Sequence, residues 1–329
     1  MRFFNDLPKL KRARMLLFGA FVFCGSVLFG CGSEQADEDG EPEGVDIFED
    51  LVGIDFYEVR RTFDTGVSYD SMGFVQLPEW HMRWGKKDSM LVYSPWEDRM
   101  VGYKIYHDHA DYFHFARDSW RMITLSRDSV ILQRLSLNGL RVDKARSNVY
   151  MKFYSADFLK NHFAVSADSL PMLVDRLRLP TAQDSAFVRS QVQRANQHVT
   201  EMDSAFASRN YAQLRSKHPA LTITKRKIDN FDLTEKSPAY EYLYPEYQIT
   251  IDPAYRNFRH DFSVNIDEHG KMHLLKVYVM EDFQDARERV VEGVIDVYLH
   301  HWLEIIPAET LGMPHSSTVF LYVRGRAEE

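Results

Sequence analysis

Residues 120–135, WRMITLSRDSVILQRL, give the clearest indication of how the first half of this 329-residue chain folds. Two β-prone runs are separated by a polar turn, which is the pattern of a β-hairpin. Alternation places Trp120, Met122 and Thr124 on one face of the first strand and Ile123 and Leu125 on the other. We therefore expect an antiparallel sheet to form around this hairpin.

Similar short runs lie on both sides of the hairpin. They are residues 56–63, 67–77, 90–93, 101–107, 112–116 and 149–154. Turn-forming clusters such as Asp-Thr-Gly and Leu-Asn-Gly separate them, and short strands at this spacing are typical of a sandwich or a barrel. Residues 45–155 are therefore predicted to be an all-β domain.

The hairpin resembles the Trp-x-Ile-x-x-Leu-x-x-Asp-x-Leu-x-Leu hairpin of small lipocalin-like domains in bacterial lipoproteins. The likeness covers this hairpin and the number of strands, whereas the Gly-x-Trp that usually opens lipocalins is missing. The resemblance implies a β-barrel and leaves open whether that barrel encloses a ligand cavity.

The middle of the chain, residues 156–220, has a helical pattern. A short helix is expected to reach Leu177, and a long one to cover residues 182–217. Apolar residues from Val188 to Phe206 recur there at spacings of four and three, which is one continuous stripe. Pro219 is expected to end this segment.

Residues 221–329 combine strands with one long helix. Strands are predicted at residues 221–228, 247–251, 261–267, 272–280 and 317–323, a helix from Asp282 to Trp302, and a loop over residues 304–314. The chain as a whole is therefore predicted to be α+β, with an all-β domain, a helical segment and a final α+β domain.

The order of elements in the last domain resembles the C-terminal domain of TonB-type proteins. The matching positions are Val264, Ile266, Asp267, Gly270, Val277, Trp302, Pro307, Ala308, Gly312, Pro314, Phe320 and Tyr322. The resemblance covers about 65 residues and implies a ββαβ fold. The chain departs from the family because it has no long proline-rich spacer and carries a strand pattern where a short helix is usual.

The ββαβ order makes the last strand, residues 317–323, a candidate edge of its sheet. Thr318, Phe320 and Tyr322 alternate with apolar residues, so both faces of this strand are fairly apolar. An unguarded edge of this kind is covered by the protein itself, by a second copy, or by an extended partner strand. These three residues are therefore predicted to mark an edge-strand binding site.

The N-terminus has the pattern of an export signal. Lys9, Lys11, Arg12 and Arg14 precede the apolar segment 15–31, which is shorter than the ~20 residues of a membrane-spanning helix. Residues 28–31, Leu-Phe-Gly-Cys, resemble the lipobox of bacterial lipoproteins. That resemblance implies removal of residues 1–30, a lipid on Cys31, and anchoring to the outer membrane at its periplasmic face or the cell surface. A plain secretory signal or an uncleaved anchor is the alternative.

Composition limits the chemistry of the remaining chain. Residues 31–44 are acidic, with little apolar content, and are predicted to be a disordered tether. The only cysteines, Cys24 and Cys31, lie in the leader, so thiol catalysis and disulfides in the mature body are excluded. The net charge of −8 argues against a nucleic-acid partner.

Residues 106–114, YHDHADYFH, form the one dense group of metal-ligand types. His107 and His109 lie two apart on a predicted strand, so their side chains are expected on the same face, where Asp111 and His114 could approach. The same residues also fit an ordinary polar β-turn, and the sequence marks no third ligand with fixed geometry.

These observations favour a non-enzymatic, lipid-anchored envelope protein. It is expected to bind a protein or a small apolar ligand, with the membrane and an envelope protein as partners and with no cofactor besides the covalent lipid. The alternative is a metal-binding protein or hydrolase that uses residues 107–114.

Overall fold

The computed structural model describes residues 48–139, 141–227 and 239–327. The predicted signal segment, Cys31 and the acidic tether lie outside these residues. The described residues belong to one compact unit. In the described ranges, no helix is both long enough and apolar enough to cross a membrane.

The first part of the chain is a nine-stranded antiparallel sheet. The nine strands are β1 (Asp55–Phe63), β2 (His81–Gly85), β3 (Ser89–Ser94), β4 (Arg99–Lys104), β5 (Tyr106–His109), β6 (Tyr112–Phe115), β7 (Asp118–Leu125), β8 (Ser129–Leu135) and β11 (Val149–Ser155). Between β8 and β11, β9 (Leu137–Asn138) and β10 (Arg141–Val142) form a separate two-stranded ribbon. The order in the sheet is β4-β3-β2-β1-β11-β8-β7-β6-β5. The predicted β-sheet character of this part is confirmed.

The two end strands of the sheet are joined by one short stretch of chain. These strands, β4 and β5, follow each other directly and are separated only by Ile105, which is buried. One edge of the sheet therefore continues into the other, and the sheet curls into a nearly closed barrel.

Two details of the barrel differ from the prediction. Residues 67–77 form a loop with one isolated bridge instead of a strand, because the Asp70 carboxylate accepts the backbone N–H groups of Met72 and Phe74 and turns the chain. In the hairpin of β7 and β8, a bulge at Ile123 reverses the alternation, so that Leu125 packs toward the core in place of Thr124.

Three helices follow the barrel, namely α1 (Ala156–Phe163), α2 (Leu170–Leu177) and α3 (Ala182–Gln197). Helix α3 begins at a capping box between Thr181 and Asp184. It ends twenty residues before the predicted position, since the side-chain amide of Asn265 donates to the carbonyls of Val199 and Glu201, which leave the helical path.

The last part of the chain is built on a five-stranded sheet with the order β13-β14-β20-β15-β16. The elements are β12 (Gln213–Ser216), β13 (Leu221–Lys225), α4 (Tyr240–Leu243), β14 (Glu246–Ala254), β15 (Phe258–Ile266), β16 (Met272–Val277), α5 (Gln284–Val294), α6 (His300–Trp302), β17 (Leu303–Ile306), β18 (Ala308–Thr310), β19 (Met313–His315) and β20 (Ser317–Ala327). Strands β14 and β20 are parallel, and the other pairs are antiparallel.

The predicted long helix covers one face of this sheet. It consists of α5, a π-helical turn (Ile295–Leu299) and α6, and it buries Val291, Val294 and Leu299 against apolar residues of the sheet. The predicted loop over residues 304–314 instead contains β17, which pairs with β12, and the β18–β19 hairpin.

A buried carboxylate ties helix α3 to the barrel. Asp184 accepts hydrogen bonds from the guanidinium of Arg60 on β1, from the backbone N–H of Ser68 and from that of Thr181. Burial by itself would raise the pKa of Asp184, but these hydrogen bonds together hold it below its ordinary value. The carboxylate is therefore ionised and joins three segments.

Candidate functional site

The interior of the barrel is filled by its own side chains. Trp84, Trp120 and Phe153 are at most 1% exposed and meet in one core. A short 3-10 helix ahead of β1 adds two residues to the same core, its N-cap Phe48 and its last residue Leu51. This core fills the interior of the barrel in the described residues, so the surface depressions of the barrel are the candidate ligand sites.

Three neighbouring depressions surround the β6–β7 turn. Their volumes are about 490, 470 and 310 Å³, within the range of small-molecule sites. Arg117 and Asp118 line the first two, and Ser119 lines all three. Tyr112 of β6 and Leu137 of the β9–β10 ribbon both line the third depression. We name the three depressions, which share Ser119 as a lining residue, the turn groove.

The turn at the centre of the groove has an unusual backbone. Phe115 pairs with Asp118, and the two residues between them, Ala116 and Arg117, have φ angles of +51° and +66°. A two-residue hairpin turn of type I′ needs a positive φ at both positions, and Asn-Gly is the sequence that adopts it most easily. A left-handed conformation costs other residues roughly 1 kcal/mol each. Strain of this kind concentrates at binding sites.

Three arginines give the groove a positive wall. Arg134 donates to the carboxylate of Asp118 at 3.0 Å, and Arg146 lies 3.6 Å from the carboxylate of Asp143, which is outside the groove lining. Among the described residues, no carboxylate lies within 4.0 Å of the guanidinium of Arg117. The wall therefore carries more positive than negative charge, although the whole chain is at −8.

The β9–β10 ribbon supplies an apolar wall. Leu137 and Val142 are cross-strand partners in the ribbon, and they are 46% and 37% exposed. Both line the third depression together with Leu135, which is buried. Exposed apolar side chains beside a cavity are available to contact the carbon skeleton of a ligand.

The predicted histidine pair does not share a face. His107 pairs with Phe113 and His109 with Tyr112, so Asp108 is an extra residue in a β-bulge. The rings follow this register, since His107 lies 4.8 Å from the ring of Phe113 and His109 stacks on Tyr112 at 4.7 Å. The expectation that both histidines point the same way is therefore wrong, because the bulge reverses the alternation of the strand.

The other two candidate ligands are held by separate partners. Asp111 accepts a hydrogen bond from Arg121 at 2.6 Å, which lowers the pKa of that carboxyl, and His114 is hydrogen-bonded to Ser119 at 2.9 Å. In the described part of the chain, no three histidine or acidic side chains lie close enough to share a metal ion. His109 and His114 instead line the turn groove.

Strand β20 is not an edge strand. It is hydrogen-bonded to β14 on one side and to β15 on the other, so the edge-strand site predicted at Thr318, Phe320 and Tyr322 is wrong. A strand between two neighbours within one sheet is apolar on both faces for packing, and this explains the pattern that suggested an unguarded edge. Phe320 packs beside Tyr278 on the face away from the helix.

The arginines of the groove were missed by sequence reasoning. Arg117 lies in the β6–β7 turn, Arg134 on β8 and Arg146 in the β10–β11 connection, and only the pairing of β6, β7, β8 and β11 brings them to one depression. The sequence carried no clear signal, because Ala116 was assigned to the run 112–116 and the turn lacks the Asn and Gly that are usual at its two positions.

A scan against models of known protein families finds no match to this chain, and a search of curated proteins also finds none.

Proposed function

We propose that this chain is a non-enzymatic envelope protein that is anchored by a lipid on Cys31 and binds a small ligand in the turn groove. The observation that carries the ligand-binding role is a set of three depressions that share Ser119 as a lining residue. A basic wall and an apolar wall lie there beside a strained turn, whereas the barrel interior is full. A few polar groups that converge beside apolar side chains are typical of small-molecule sites.

Ligand binding in the turn groove can be tested with a variant whose larger side chain occupies the groove. Ser119→Trp places a large ring at the residue that lines all three depressions, and Ser190→Trp on the exposed side of α3 is the matched control. Each protein is purified from envelopes, and its small-molecule extract is compared by mass spectrometry. We expect a compound that copurifies with the parent chain and with Ser190→Trp but not with Ser119→Trp. Identical extracts from all three folded proteins would contradict the proposal.

The anchor is supported by the sequence alone, through the basic flank, the apolar run and the Gly-Cys end at residues 30–31. Cys31→Ser is expected to release the protein from membranes or to leave its leader uncleaved. Unchanged processing and unchanged partition into detergent in the Cys31→Ser protein would refute lipidation. The outer membrane is the proposed location, with an envelope protein as a further partner.

We also infer a TonB-like arrangement for the last part of the chain. Two features support it: the order of β15, β16, the long helix and β20, and the antiparallel pairing of β20 with β15. The parallel strand β14 beside β20 is an addition to the four elements of that resemblance. This inference concerns the fold and carries no energy-transducing role.

A further inference from the structure

We propose that the ligand of the turn groove is a small amphipathic anion, whose acidic head binds the arginines and whose apolar body lies against the β9–β10 ribbon. This inference rests on the proposed function, since it names the ligand class of the same site. The two halves of such a ligand correspond to the two walls, which share Ser119, Leu135 and Leu137 as lining residues.

The head is placed by the guanidinium groups. An arginine donates two parallel N–H bonds to a carboxylate or a similar oxyanion, and such charge-assisted bonds are roughly twice as strong as neutral ones. Arg134 already shares the carboxylate of Asp118, and Arg146 lies near Asp143. Arg117 has no such partner among the described residues, so its full donor set is open to a ligand.

The position of Arg117 strengthens this assignment. A hairpin turn of type I′ is most stable with glycine at its second position, yet an arginine occupies that position at a φ of +66°. The side chain it adds lines two of the three depressions. Arginine is thus the less stable choice for the turn, and it supplies the charge that the groove presents.

The side chains of the β9–β10 ribbon indicate where the apolar body of the ligand binds. Leu137 and Val142 are cross-strand partners in β9 and β10 and remain partly exposed, and Tyr112 lines the same depression. An aliphatic or aromatic group between these side chains would remove apolar surface from water. A simple inorganic anion would leave this wall exposed, and a neutral apolar compound would leave Arg117 without a partner.

The experiment uses three soluble probes that separate head from body: 4-phenylbutyrate has both, 4-phenylbutyramide replaces the anionic head with a neutral amide, and acetate has the head alone. Each is titrated by ligand-observed NMR against the full chain in lipid nanodiscs, with empty nanodiscs as the blank. The variants are Arg117→Ala for the head and Leu137→Ala for the body. Arg189→Ala, on the exposed side of α3, is the control.

We expect 4-phenylbutyrate to bind about ten-fold more tightly than the amide, since one charge-assisted bidentate contact is of that order. It should also bind more tightly than acetate, which keeps the head but has no apolar body to lie against the ribbon. Arg117→Ala should remove this preference for the anion, Leu137→Ala should weaken the binding of both phenyl probes, and Arg189→Ala should change neither. Circular dichroism on each variant checks that it is folded.

The outcomes separate this inference from the function on which it rests. If the amide binds as well as the anion, and Leu137→Ala weakens both, the groove is a ligand site but the anionic class is wrong. If Arg117→Ala leaves the anion preference unchanged, the assignment of the head is overturned. If no phenyl probe binds and the copurification test also finds nothing, the groove itself is refuted as a ligand site.

Discussion

The two sheets of this protein differ in how far apart along the chain their paired strands lie. In the nine-stranded sheet, most neighbours are consecutive hairpin strands, and even the closure at Ile105 joins strands that are adjacent in sequence. In the five-stranded sheet, β20 lies between β14 and β15, which come long before it in the chain. Local pairing can be read from turns and alternation, whereas distant pairing cannot.

The same difference applies to binding. The arginines of the turn groove come from the β6–β7 turn, from β8 and from the β10–β11 connection, so a change of one residue in the turn can alter the groove without disturbing the sheet. The residues of β20 that were expected to bind a partner through an edge are enclosed by two other strands. Helix α3 contacts both parts of the chain, since Asp184 bonds β1 and Asn196 bonds Glu268 in the β15–β16 turn.

The largest expected effect tests whether the two sheets unfold together. Trp120 in the barrel and Phe262 in the five-stranded sheet are each 1% exposed. Trp120→Ala and Phe262→Ala therefore each leave a cavity in one of the two sheets. Each is expected to lower the free energy of unfolding by about 4 kcal/mol. Because α3 bonds both parts, each variant should shift one common urea transition, followed by far-UV circular dichroism and by fluorescence.

Two separate transitions in the parent protein, each shifted by only one of these variants, would show that the sheets fold independently. The contacts of α3 would then be too weak to couple them, and the single compact unit would consist of two cooperative units.

The next effect concerns the link itself. Asp184→Asn keeps the size of the side chain but removes the charge that Arg60 and two backbone N–H groups stabilise. We expect a loss of about 3 kcal/mol in the free energy of unfolding at neutral pH, as for other broken buried ion pairs. Asp175→Asn is the control, since that carboxylate on α2 is 77% exposed and its loss should change little.

The pH dependence of this loss has a defined sign. The folded pKa of Asp184 lies below that of the unfolded chain, so its contribution is complete above about pH 5 and decreases as the pH falls through the folded value. The difference in the free energy of unfolding between the parent and Asp184→Asn should therefore become smaller as the pH falls. A difference that stays constant down to pH 3 would contradict the ionised, hydrogen-bonded state of this carboxylate.

Sequence reasoning succeeded where a local pattern decides the structure. The hairpin of β7 and β8, the start of α3 and the long C-terminal helix were all predicted close to their observed positions. Each depends on neighbouring residues, such as the polar turn after Leu125 or the capping box at Thr181. The mixed α+β character followed from these elements.

The errors have physical causes that a single sequence does not show. Bulges at Asp108 and Ile123 insert one extra residue and so reverse which side chains face the core, which separated His107 from His109. The stripe from Val188 to Phe206 was correct in part, since Val188, Val192, Ala195 and Phe206 pack in one core cluster, whereas Met202 is 46% exposed. It was wrong as one helix, because Asn265 from a distant strand binds the carbonyls after α3.

A buried histidine gives a smaller effect in the layer between the sheets. His315 on β19 is fully buried, bonded to Thr310 at 2.9 Å, and packed against Phe206; burial lowers its pKa to about 4. The unfolded chain takes up this proton near pH 6.5, so the folded state becomes less stable as the pH falls from 6.5 toward 4. At pH 5 this histidine lowers the free energy of unfolding by about 2 kcal/mol.

The measurement is the free energy of unfolding at pH 7.5 and pH 5. His315→Gln should lose less stability between these values than the parent does, although it starts lower because of its altered packing. His301→Gln, which is exposed on α6, should follow the parent. If His315→Gln and the parent have the same pH dependence, the histidine does not resist protonation in the folded state.

The smallest effect is a gain in stability, and it separates the fold of the barrel from the function of the groove. Ala116→Asn and Arg117→Gly each place the preferred residue at one position of the type I′ turn, where the parent has positive φ angles. Each should raise the free energy of unfolding by about 0.5–1 kcal/mol through relief of the left-handed conformation. Only Arg117→Gly removes a guanidinium, so only that variant should lose the preference for 4-phenylbutyrate over its amide. Thermal melts and the same NMR titration measure both properties.

Equal stabilisation with loss of anion binding in Arg117→Gly alone would mean that the turn carries its arginine for binding at a cost in stability. Destabilisation by Arg117→Gly would instead assign the arginine a structural role and remove the argument from strain.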